Sequence, residues 1–193
     1  FNKTDFLYLL LAQPVKRSHA FLGMYLGIAV TLSLSVGLGL ALGMLIGQGS
    51  LQNPALLITM ISVGVLLSLI FSGLALFICV ASRDKLKGIG LALFTWLFMA
   101  VIYDGLMLMY FIVFSEYPIE QHAIFLSLLN PIDLSRIFIM LHLDISALMG
   151  YSGAVFQKFF GTGMGMFVSI LALLSWIVLP ILALVAKARK KDY

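Results

Sequence analysis

An all-α, polytopic transmembrane helical bundle is the fold class this sequence predicts, and three observations predict it. Hydrophobic residues make up 62% of the 193 residues and charged ones 10%, where a soluble domain carries about 25% charged residues; the mean hydropathy is +1.12. Four stretches almost free of charge, near residues 20–47, 55–81, 89–114 and 163–186, exceed the ~20 residues that cross about 30 Å of hydrocarbon. The basic residues are also sorted. Lys3, Lys16, Arg17, Arg83, Lys85, Lys87, Lys187, Arg189, Lys190 and Lys191 fall on one side of an alternating four-span topology, leaving Arg136 and Lys158 as the remaining two of the twelve. That asymmetry places the start, the "SRDKLKG" loop and the basic tail 187–193 in the cytoplasm, and "QGSLQNP" and segment 115–162 outside. The net charge of +4 follows from this topology and needs no nucleic-acid partner.

The chain opens on Phe1, with no Met, no basic n-region and no cleavage site, which predicts a fragment lacking an N-terminal part. Residues 1–19 read as a cytoplasmic elbow: an amphipathic piece, Gln-Pro, then a basic pair. Residues 20–186 form the membrane domain. In the first span Gly23 and Gly27 make one four-residue step and Gly39, Gly43 and Gly47 two more. Small residues at that spacing let helices approach closely in lipid, so ordinary packing is expected of them. Trp96 and Trp176 lie inside their spans and should pack against other helices, as should Cys79, which as a single cysteine excludes an intrachain disulfide or a cysteine metal cluster. Pro180 is positioned to kink the last span.

The outer segment 115–162 is too apolar for a solvated loop. "LLNPIDLSRIFIMLHLDISALMG" carries a helix start, with Asn130 as N-cap, Pro131 at the first helical position and Asp133 in the first turn. Asp133 and Arg136, three apart, can pair on one face. With His142 and Asp144 also in it, this amphipathic helix should lie at the outer membrane surface or cover the bundle rather than make a fifth span.

Catalytic constellations are missing from the pattern. His19, His122 and His142 are scattered; "HLD" at 142–144 with Met140 and Met149 offers soft ligands, but a surface histidine among packing methionines is the preferred reading, so no metal and no cofactor on this chain is expected. "GTGMG" at 161–165 lacks the Lys-Ser/Thr of a phosphate loop and is read as a flexible hinge. One acid stands inside a span: Asp104, in "FTWLFMAVIYDGLMLMYFIVF", slightly outside the bilayer centre. Such a residue faces a helix interface or a wet cavity. A hydrogen-bonded clasp between helices is favoured over a lining group of a cargo path or a proton-coupled site. Tyr103, Tyr110 and the serines Ser33, Ser35, Ser62, Ser68 and Ser72 are its candidate partners, with no intramembrane Lys or Arg expected to pair with it.

The start of the chain resembles the cytoplasmic coupling segment of ABC-2 type transporter permeases, through Thr4 to Leu11, Pro14-Val15-Lys16-Arg17 and Gly23 to Gly27; Met24 stands where that family usually has Lys. "VIYDGLMLMY", "LLNPIDLSRI" and "ALMGYSGAVFQKFFGTGMG" resemble more narrowly the NosY-type permease subunit of the transporter for nitrous oxide reductase maturation. The resemblance implies a six-span permease of the bacterial inner membrane, paired as a homodimer. ATP is then hydrolysed on a separate cytoplasmic ATPase subunit docked at Thr4, Leu10, Pro14, Lys16 and Arg17. A periplasmic accessory protein beside Asn130, Asp133, Arg136 and Asp144 is implied too, and as cargo a sulfur species or other component for the copper-sulfide centre of the reductase. This chain would not itself be an enzyme. A generic ABC-2 exporter of a lipid, drug or polysaccharide, an intramembrane enzyme, for which no second group near Asp104 is evident, and a non-transporting scaffold remain as alternatives.

Overall fold

The computed structural model describes residues 17–46, 54–82, 84–114, 117, 120–142 and 158–190, and helices account for nearly all of them. In chain order these are α1 (Arg17–Ile46), α2 (Pro54–Ala81), α3 (Lys85–Leu97), a π-helical turn (Phe98–Ile102), α4 (Tyr103–Val113), α5 (Glu120–Leu128), α6 (Pro131–His142) and α7 (Gly163–Lys190). Among the described residues, four helical lengths are long and apolar enough to cross a membrane: His19–Gly43, Leu56–Ala81, Lys85–Val113 and Gly163–Lys187. Span three is thus α3, the π turn and α4 in succession. The elbow residues Thr4, Leu10, Pro14 and Lys16, together with Asp144, lie outside the described residues.

α2 and α7 pack together at the centre, with α1 against both and α3 against α2. One core gathers Tyr25, Ala29 and Leu184 where α1 meets α7. A second gathers Ile70, Met107, Ala123, Leu134, Ile137, Phe160 and Leu173, joining α2, α4 and α7 to α5 and α6. Within the spans hydroxyls return to their own helix: Ser35 Oγ donates to Thr31 O at 2.8 Å, Ser62 to Ile58 O at 2.7 Å, Ser68 to Gly64 O at 2.8 Å and Ser72 to Leu69 O at 3.1 Å. A hydroxyl in lipid has no water to bond, so the carbonyl one turn back accepts its hydrogen bond.

Several expectations are corrected. Gly23, Gly27, Gly39 and Gly43 have nothing within 4 Å of where a Cβ would stand, so they do not carry the packing within the chain. That contact is made on another face, where a Cβ on Gly64 of α2 would come within 2.7 Å of Val36 Cγ1 of α1. Trp176 packs against the second core, but Trp96 is half exposed and Cys79 lies on the exposed surface. "GTGMG" is a capped helix start. Thr162 Oγ1 donates to Phe159 O at 2.6 Å and accepts from Gly165 N at 3.1 Å, the N-cap arrangement for α7. Gly165 is required there because a Cβ would fall 2.0 Å from Phe159 O.

α5 and α6 are bent against each other by 114° at Leu129 and Asn130. α6 packs onto the bundle rather than standing apart from it. Leu134 and Ile137 of α6 are buried in the second core, and α6 packs against α2, α7 and the π turn.

Candidate functional site

The hairpin's bend is fixed by side chains that answer orphaned backbone groups. α6 begins as the sequence predicts, with Asn130 Oδ1 accepting from Ile132 N at 3.0 Å, Pro131 as the first helical residue and Asp133 in the first turn. The other end of the same amide does what no sequence pattern announces, donating from Nδ2 to Met99 O at 2.8 Å. That carbonyl is free because of the π turn: Tyr103 N–H bonds to Phe98 O, five residues back, and skips Met99, its partner in an α-helix. Asn130 is wholly buried, at 0% exposure, where an unanswered carbonyl would be costly.

α5 ends with carbonyls short of helical partners, Leu126 O keeping a turn bond from Leu129 N at 3.0 Å. Tyr103 OH donates to Leu126 O at 2.6 Å, and Trp176 Nε1 of α7 donates to Leu128 O at 3.4 Å. Spans three and four therefore both hold the hairpin.

Beside these bonds lies the ion pair. Arg136 Nη1 of α6 donates to Asp104 Oδ2 at 2.5 Å, the two side chains being 40% and 27% exposed. This corrects the expectation that no cation is available to Asp104, and it replaces the expected pairing of Arg136 with Asp133. Of the serines named as partners, Ser35, Ser62, Ser68 and Ser72 bond within their own helices, and Tyr103 bonds to Leu126. The clasp between helices is present, but it is ionic and its second half comes from α6.

Asp133 is 8% exposed. Burial pushes its carboxyl up from the ordinary carboxylate range; in decreasing size, the Ser127 hydroxyl pulls it down, the Asp104 charge pushes it up and the Arg136 guanidinium pulls it down. Among the described residues, Asp133 Oδ2, Asp104 Oδ1, Ser127 Oγ and Ser135 Oγ are buried polar atoms without a partner. Asn130 and Asp133 thus face into this chain, which corrects the expectation that they meet an external protein. Arg136 keeps some exposure but is committed to Asp104. Sequence reasoning named Tyr103, Asp104, Asn130, Asp133 and Arg136 separately; the structure brings them together and adds Ser127 and Met99 O.

An open apolar groove of about 370 Å³ adjoins the cluster, sharing Tyr103 and Leu126 with it and lined further by Leu106, Tyr110, His122 and Phe125. The His122 ring is tilted 46° against that of Tyr110, with centroids 6.4 Å apart. No group of three or more His, Cys, Asp or Glu able to hold a metal exists among the described residues. In comparison with known proteins, the chain matches no family model and no curated protein.

Proposed function

We propose that this chain is the membrane-spanning permease subunit of an ABC-2 type transporter of the NosY type, coupling ATP hydrolysis on a cytoplasmic partner to export of a sulfur species or other component for the copper-sulfide centre of nitrous oxide reductase. One observation supports this most. "VIYDGLMLMY" and "LLNPIDLSRI", two of the stretches that carry the resemblance, converge in one polar cluster, through Tyr103 and Asp104 from the first and Asn130, Asp133 and Arg136 from the second. Ionisable groups at membrane depth are functional by default. Here they couple a membrane span to a separately folded hairpin.

Sidedness agrees with this reading. If α5 and α6 enter and leave on one face, the basic tail returns to the side of residues 1–19, and ten of the twelve Lys and Arg share that side. Taken as a fifth span, the pair would carry Lys187, Arg189, Lys190 and Lys191 across. The homodimer, the ATPase docked on the elbow and the periplasmic accessory protein belong to the same proposal.

The groove beside Tyr103 favours a second reading, a generic ABC-2 exporter whose cargo is a lipid. Deleting the subunit in cells that make the reductase separates the two. Reductase lacking its copper-sulfide centre supports the first, and a normal centre with altered membrane lipid supports the second. Leu10→Asp should abolish stimulation of the partner ATPase while insertion stays intact; unchanged co-purification and turnover would favour a scaffold that transports nothing.

A further inference from the structure

We infer that Asp133 is a proton-binding site, holding an exchangeable proton at neutral pH that leaves Arg136 committed to Asp104. The inference stands on the cluster's geometry and would hold whatever the chain transports.

Charge balance is the first argument. Two carboxyl groups, Asp104 and Asp133, share one guanidinium, and Arg136 is bonded to the more distant of them in sequence. Asp133 lies three residues before Arg136 on the same helix, a spacing at which side chains share one face and can pair. Arg136 nevertheless reaches across to span three. A neutral Asp133 explains the choice, because it makes no claim on the guanidinium.

Satisfaction of buried oxygens is the second. Asp133 is more than nine-tenths buried and its Oδ2 has no partner; Ser127, wholly buried beside it, has an unpartnered Oγ. The Ser127 hydroxyl can donate to the ionised carboxylate, which is how it pulls the titration down, or accept from Asp133 Oδ2 once that oxygen carries a proton. The pair is satisfied in either charge state, so the proton can come and go without stranding an oxygen. When it leaves, the new carboxylate and Asp104 compete for Arg136.

Among the described residues, the elements around Asp133 supply no other charge beside it. Span three contributes Tyr103 and Asp104, and α5 contributes Ser127, with Glu120 and His122 at its opposite end. α2 has no Asp, Glu, Lys, Arg or His, and in α7 the basic residues Lys187, Arg189 and Lys190 stand at the far end of the helix. The upward displacement of the Asp133 titration agrees in direction.

The test is infrared spectroscopy of the full chain in lipid nanodiscs. At pH 7 the wild type should show a protonated-carboxyl C=O stretch that shifts in heavy water. The band should be lost in Asp133→Asn, kept in Asp104→Asn, and moved in frequency but not abolished in Asp133→Glu. A band that survives Asp133→Asn, or is unmoved by Asp133→Glu, overturns the assignment. So does the absence of any such band at pH 7, including the case in which added sodium alters the spectrum, which would make the site a cation site. A second readout is stability against pH. The folded chain retains a proton that the unfolded chain gives up, so stability should fall as pH rises from the ordinary carboxylate range through the native titration, and that fall should vanish in Asp133→Asn.

Discussion

α6 and α1 invert the rule that governs soluble proteins. α6 with its cap carries Asn130, Asp133, Ser135 and Arg136, and all but Arg136 are buried. α1 carries no charge after its first residue, and Leu26, Val30, Leu34, Leu38 and Leu42 along it are exposed. In lipid an apolar side chain gains little by moving from acyl tails to a helix neighbour, whereas a polar group without a partner is costly. Burial here follows polarity. Apolar length placed α1 in the membrane, and hydrogen bonds placed α6 in the protein.

If that contrast is right, the heaviest loss should come from the residue with most backbone to answer. Asn130→Leu removes the cap on Ile132 and the donor to Met99 O, and should destabilise by about 2–4 kcal/mol, from ~1 for the cap and ~1–3 for the stranded carbonyl. Denaturant unfolding of the full chain in mixed micelles measures it, and a loss below about 1 kcal/mol would break the comparison.

Next in size is the ion pair. Removing one member of a buried pair costs about 3–5 kcal/mol, and partial exposure of both side chains reduces the expectation for Asp104→Leu to about 1–3 kcal/mol. The double variant Asp104→Leu with Arg136→Leu should recover most of that loss, whereas additivity in the same assay would show that the pair contributes nothing as a pair. Tyr103→Phe, which removes one of the two donors to the Leu126 carbonyl and leaves it the Leu129 N–H, should cost about 1 kcal/mol or less. The smallest effect belongs to α1. Gly39→Leu meets open space and should change the stability of the single chain by less than about 0.5 kcal/mol; a large loss measured in the assembled membrane protein would show that another helix covers that face.

The spans were legible because their signal is local and cumulative. The expected limits 55–81 and 163–186 compare with helices at Pro54–Ala81 and Gly163–Lys190. The start of α6 was legible for the same reason, since cap, proline and acid are consecutive letters. What escaped depends on distance. Arg136 and Asp104 are 32 residues apart, and the bend at Asn130 brings α6 back against span three to join them. The π turn left no trace, because "FMAVI" contains nothing that distinguishes it from its neighbours. The hinge assigned to "GTGMG" failed by composition: glycine was read as freedom, but Gly165 is there for lack of space and Thr162 is the informative letter.

The π turn has a further consequence when span three is considered as a rotating shaft. Each α-helical residue advances the side chain by about 100°, so one residue held outside the i→i+4 ladder offsets the phase of everything beyond it. The part of span three that lies against α2 and the part that presents Tyr103 and Asp104 to the hairpin are therefore set at independent angles on one continuous rod. Rewinding Phe98–Ile102 into α-helix would withdraw the Met99 carbonyl from Asn130 and swing Asp104 away from Arg136 in a single motion, without a break in the span.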